Sequence, residues 1–91
     1  MNLSMLKGAI DIHVHSGPDL FPRSLDSFDV ARQARDNGMR AVVLKCHFSM
    51  TGFRAQLVEK AVGTETRVFG SVTLNHFVGG LNPHVVDVAI K

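Results

Sequence analysis

The sequence predicts an α/β fold of parallel strands in the order β-α-β-α-β-α. Three observations carry this. Short β-branched apolar runs alternate with amphipathic helical stretches, and Gly, Pro or Asn stands at the junctions. Strands that alternate with helices build a parallel sheet through right-handed crossovers. Each apolar run also ends in polar or titratable side chains, as parallel strands do along the edge where ligands bind.

The first strand is "AIDIHV" (9–14), alternating and β-branched. The loop "HSGPDLFPRSLD" follows, marked by Gly17, Pro18 and Pro22. A helix starts at Asp26 or Ser27, either of which can cap free N–H groups, and Gly38 stops it. Phe28, Val30, Ala31, Ala34 and the neighbouring Met39 form its apolar side. "RAVVLKC" (40–46) is nearly continuous in apolar residues, the pattern of a strand covered on both faces. The second helix is "TGFRAQLVEKAVG" (51–63), with Thr51 as cap, Gly63 as stop, and Phe53, Leu57, Val58 and Ala61 facing inward. "RVFGSVTL" (67–74) is the third strand and "NHFVGGLN" a loop. "PHVVDVAIK" (83–91) is the third helix, with Asn82 as N-cap and Pro83 at the first helical position.

Three such units are too few to close a barrel, which takes about eight units and roughly 250 residues. Residues 1–91 therefore read as one partial domain, the N-terminal part of a longer protein. The alternative is a complete small three-stranded α/β domain. At 45% hydrophobic and 20% charged, the composition is that of a globular protein. A net charge of +2, with no basic patch, argues against a nucleic-acid partner, and no apolar run is long enough to span a membrane. The start, "MNLSMLKG", lacks the apolar core of a signal peptide, and one cysteine excludes an internal disulfide, so a cytoplasmic location is expected. The uncovered edge of the third strand makes a homo-oligomer possible.

Chemistry is expected at the strand ends. His13 and His15 close the first strand, Lys45 and His47 the second, and Asn75 and His76 follow the third. Residues i and i+2 on a strand share a face, so His13 pairs with His15 and Lys45 with His47. Two imidazoles on one face can hold a divalent metal, zinc first, with manganese or iron as alternatives. The plainer reading is a pair of histidines hydrogen-bonded at a strand end. Lys45 interrupts an apolar run. It is a carbamylated metal ligand, an anion binder for the substrate, or a side chain that reaches the rim and stays solvated. Asp19 and Arg23 lie in the first loop. Asp19 is a candidate to orient a histidine or act as base, Arg23 to clamp a carboxylate or phosphate, and both alternatively serve the loop. His76 is a weaker ligand candidate. Gly79 and Gly80 read as a turn, His84 as a surface residue, and Cys46 as a packed thiol pointing away from Lys45 and His47.

"IDIHVHSGPD" resembles the first strand of the amidohydrolase superfamily, metal-dependent hydrolases built on (β/α)8 TIM-type barrels. "DIHVHS" equally resembles the opening motif of the PHP phosphoesterases. "HVHSGPDLFPR", "GMRAVVLKCHFSMT" and "RVFGSVTLNHFVGGLNP" together look like a family of uncharacterised amidohydrolase-like proteins, a resemblance that covers most of residues 8–90. It implies a fragment of a TIM-type barrel, with His13 and His15 as metal ligands and His47 as a further one. The implied function is hydrolysis of a small-molecule amide, cyclic amide or ester by metal-activated water. The later-strand ligands of that superfamily have no counterpart here, so this polypeptide alone is expected to be inactive or nearly so. The alternatives are a PHP-type phosphoesterase, with Arg23 and Lys45 on the phosphate, and a non-catalytic α/β binding or association module.

Overall fold

The computed structural model describes residues 3–90. Three strands, β1 (Ile10–His15), β2 (Ala41–Lys45) and β3 (Arg67–Phe69), form one parallel sheet in the order β1-β2-β3. Helices α1 (Ser27–Asp36), α2 (Gly52–Val62) and α3 (Pro83–Ala89) follow them in turn. The predicted alternation of strands and helices is what the chain adopts. Lys91, the predicted end of the third helix, lies outside the described residues.

α1 starts where its cap chemistry places it. Asp26 accepts from the Asp29 N–H, and the Asp29 carboxylate accepts from the Asp26 N–H, a reciprocal capping box. Asp29 in the first turn and Arg35 in the last also match the helix dipole. Asn82 caps α3 through the His84 N–H, and Pro83 occupies a position whose N–H would find no partner.

The core lies between the sheet and the packed pair α1 and α2. Ala31, Ala34, Val42, Leu44, Ala55, Val58 and Val68 fill it, with Phe28, Val30 and Met39 packed at its margin. Small residues on the helices let them sit close to the larger strand residues. Burying Leu44 or Val58 fully is worth roughly 1.5–3 kcal/mol each. Sequential strand order with right-handed crossovers puts α1 and α2 on the same side of the sheet. β2 was expected to be covered on both faces, but helices cover only one. Val43 and Lys45, on the other face, are only half-buried.

Two further expectations are corrected. The inward face of α2 is Ala55 and Val58, while Phe53 and Leu57 are 67% and 62% exposed and Ala61 is exposed. Phe53 and Leu57 instead line a shallow apolar cleft with Pro18 and Phe28. Thr51 precedes the helix, but its hydroxyl caps nothing. It is fully buried and donates to the Leu44 carbonyl at 2.7 Å.

β3 ends at Phe69, not Leu74, because the chain changes partners there. The Ser71 carbonyl accepts from the Thr51 N–H at 3.0 Å, and the Ser71 N–H donates to Thr51 Oγ1 at 2.8 Å. Gly70 makes the crossing possible. A Cβ there would collide with Gly52 Cα and N and stand 2.7 Å from the Thr51 carbonyl carbon. The outer edge of β3 is partly closed as well. Glu59 accepts from the Val68 N–H at 2.8 Å and from Arg67 Nε at 3.0 Å.

Candidate functional site

The three strand ends meet on one rim. β1 does not reach it as a regular strand. Asp11 pairs with Val42 and Val14 with Leu44, so β1 spends three steps where β2 spends two, a bulge between Asp11 and Val14. The bulge takes the His13 N–H out of the ladder, and Asp11 Oδ1 accepts it at 3.0 Å. Pairing resumes at Val14 with the register shifted by one residue, so that His15 lies opposite Lys45.

The structure brings together His13, His15 and His47. His13 Nε2 lies 3.2 Å from His15 Nε2, with ring centroids 5.1 Å apart. His47 stacks on His15 at 4.9 Å and an interplanar angle of 20°. The His15 Nδ1 atom is buried and has no hydrogen-bond partner among the described residues. Burial lowers the His15 pKa, and the charges of Arg23, His47 and His13 lower it further, against a smaller opposing effect of Asp19. The shift favours the neutral imidazole, and His15 Nε2 meets His13 Nε2 in a hydrogen bond whose donor is set by the tautomers of the two rings.

Two imidazole nitrogens on a tetrahedral metal at about 2.0–2.1 Å stand about 3.3 Å apart. The His13–His15 spacing fits that chord. His47 is stacked beside the pair and does not complete a three-ligand set. Among the described residues, no group of three or more His, Cys, Asp or Glu side chains is gathered as a metal site.

Asp19 and Arg23 find each other. Arg23 Nε lies 2.9 Å from Asp19 Oδ2, and Asp19 Oδ1 accepts from the Leu20 N–H at 2.7 Å. The Asp19 side chain is 1% exposed. Burial alone would raise its pKa, but the Arg23 hydrogen bond, the Leu20 N–H, the Arg23 charge and the Phe21 N–H outweigh it and hold the carboxyl below its ordinary value. Both carboxylate oxygens are thus engaged, and Asp19 forms no hydrogen bond to a histidine. It fixes Arg23, whose guanidinium stands 5.7 Å above the Phe21 ring. Lys45 shares the register of His15 and makes no hydrogen bond or ion pair among the described residues. His76 stands apart from the imidazole cluster, exposed and packed on Phe77 at 3.9 Å. Cys46 is buried, as expected of a packed thiol.

Sequence reasoning missed how this rim is positioned, having placed Asn75 only as a polar residue after the third strand and Ser27 only as a possible helix cap. Ser16 Oγ lies 2.8 Å from Ser27 Oγ, and Ser27 Oγ donates to the Gly17 carbonyl, which closes the base of the first loop. Asn75 Nδ2 donates to the His47 carbonyl at 2.7 Å and ties the third loop to the second. The phenylalanines of these loops were also missed. Phe21, Phe48 and Phe77 come from three different loops and touch in series, at 5.7 Å and 4.7 Å between centroids. Only the loop location of these residues was visible beforehand.

The model of a family of unknown function, DUF6282, matches residues 8–91. The chain belongs to that family. The matched span of this DUF6282 chain contains all three strands and every rim residue described above. No curated protein and no solved structure matches the chain. No helix among the described residues is long and apolar enough to cross a membrane.

Proposed function

We propose that the chain is part of a metal-dependent hydrolase of the amidohydrolase type, acting on a small-molecule amide, cyclic amide or ester. The observation that carries the reading is the Nε2–Nε2 distance of 3.2 Å between His13 and His15. It stands beside a stacked His47 and a His15 Nδ1 with no partner among the described residues. His13 and His15 would hold a divalent metal, with zinc the first candidate, and His47 would join after its ring turns. When bound, such a metal lowers the pKa of a coordinated water toward 7 and polarises a carbonyl. The chain's own residues do the rest. Asp11 aims His13 by accepting its N–H. Asp19 fixes Arg23 beside the site, and Lys45 offers a cation in register with His15.

The barrel reading is proposed with it. Doubly wound sheets reverse strand order at a switch point, whereas barrels add βα units in sequence with every helix outside. The order β1-β2-β3, with α1 and α2 on one side, supports three consecutive barrel units.

Metal analysis of the purified chain tests the proposal. We expect bound zinc, manganese or iron, and its loss in the double variant His13→Ala/His15→Ala. Unchanged metal content in that variant would remove the hydrolase reading. Hydrolysis of phosphate esters, with amides and esters untouched, would replace it with phosphoesterase chemistry.

A further inference from the structure

We propose that this site takes a small aromatic carboxylate or its derivative: the ring lies on a phenylalanine wall and the anionic group meets Lys45. As a statement about substrate, this rests on the hydrolase reading; as a statement about binding, it stands on its own geometry. Three βα loops each bring one phenylalanine to the rim. Phe21 and Phe77 are 53% and 52% exposed, with Phe48 between them. A connected apolar surface left open on a polar rim marks a binding surface. The wall is continuous with the imidazoles, since the His47 ring lies edge-on to Phe21 at 6.4 Å and contacts Phe48 at 6.2 Å. On its other side His47 stacks on His15. A ring held by the phenylalanines therefore has its substituent beside His47, with His15 stacked on that imidazole and Lys45 opposite His15 on the neighbouring strand.

The charge on that substituent follows from the cations. Arg23 is neutralised by Asp19. Lys45 has no such partner among the described residues. An edge-to-face or offset aromatic pair is worth more than its buried area alone, a gain that a saturated ring of equal size does not make, and this separates an aromatic site from a merely greasy one.

The test is an NMR titration of the EDTA-treated chain with benzoate, cyclohexanecarboxylate and acetate, with no metal added. We expect benzoate to bind about three- to tenfold more tightly than cyclohexanecarboxylate, the preference an aromatic pair confers. Phe77→Leu, which keeps apolar bulk at a half-exposed position, should abolish that preference. Lys45→Gln should weaken both ring carboxylates by about tenfold, the loss of one charge-assisted hydrogen bond. Benzoate binding no tighter than cyclohexanecarboxylate, a preference that survives Phe77→Leu, or affinity unchanged in Lys45→Gln would each overturn the proposal. Metal content is measured separately, so the hydrolase reading can fail while this one holds, and the reverse.

Discussion

Replacing Thr51 with valine tests how the rim is held. The two side chains are nearly the same size, and the site is fully buried. An account based on apolar burial alone predicts little change, or a gain. The hydrogen bonds predict a loss. Thr51 Oγ1 accepts from the Ser71 N–H at 2.8 Å and donates to the Leu44 carbonyl at 2.7 Å, with the Ser71 carbonyl at 3.2 Å. In Thr51→Val the Ser71 N–H loses its acceptor, while the Leu44 carbonyl keeps Ser71 Oγ at 2.6 Å. One part-buried donor left unsatisfied costs about 1–3 kcal/mol. Thr51→Ser keeps the hydroxyl and loses one methyl, worth about 1 kcal/mol. The double variant Thr51→Val/Ser71→Ala strips the Leu44 carbonyl of both side-chain donors, so its cost should exceed the sum of the single costs by about 1 kcal/mol or more. The chain has no Trp or Tyr, so urea unfolding is followed by far-UV circular dichroism. With a slope near 1 kcal/mol/M, Thr51→Val should lower the midpoint by about 1–3 M. A midpoint within about 0.5 M of the parent, or a less stable Thr51→Ser, would refute the reasoning.

Gly70→Ala should cost at least about 3 kcal/mol, because the added carbon meets the Gly52 and Thr51 backbone, which cannot yield as a flexible side chain can. Gly52→Ala, whose added carbon meets nothing within 4 Å, is the control and should melt at or above the parent temperature. Equal melting temperatures for the two variants would remove the close-approach account. Acid should destabilise the fold through Glu59 and Asp19. The Val68 N–H lowers the Glu59 pKa most, with Arg67 adding to it against the effect of burial, and Asp19 is lowered by its own partners. Both carboxyls are more acidic folded than unfolded, so the unfolded chain binds more protons as pH falls. Their stabilisation is complete above the ordinary values of about 3.9 and 4.3 and is lost as pH drops through the lower folded values. Glu59→Gln should flatten part of that decline in a pH series of urea midpoints, leaving the part due to Asp19; an unchanged slope would show that Glu59 does not couple edge closure to protonation.

Local chemistry made much of this fold legible. A side-chain cap acts over three residues, so the starts of α1 and α3 could be placed from Asp26 and Asn82. The sharing of a face by His13 and His15 was legible for the same reason. Where tertiary partners decide, local pattern misled. Phe53 and Leu57 are the largest apolar residues of α2, yet the sheet accepts the smaller Ala55 and Val58, because close helix–strand approach leaves no room for larger groups. β3 reads as eight residues because its composition stays strand-like, but the ladder stops where Gly70 crosses Gly52. The β1 bulge has no marker in sequence, since Asp11 is ordinary until His13 needs an acceptor.

The rim differs from the core in what holds it, and that difference bears on function. Behind the strands, apolar contact fixes the helices. At the strand ends the ladder gives out, and short polar side chains take over. Ser16 and Ser27 close the first loop, Thr51 and Ser71 lock the second against the third, and Asn75 holds the His47 carbonyl. A hydroxyl or amide one or two carbons from the backbone loses little rotamer freedom when it bonds, so it fixes a loop more cheaply than a long charged side chain would. A surface loop with no task has little use for such fixing, since water satisfies its backbone and its imidazoles equally well. Here the clamps hold three imidazoles and three phenylalanines against one another while leaving much of that surface open. Order imposed on exposed groups confers little stability on the fold itself. It does reduce the entropy a ligand must remove on binding, and this supports the proposal of a ligand at the rim rather than in the cleft beside α2.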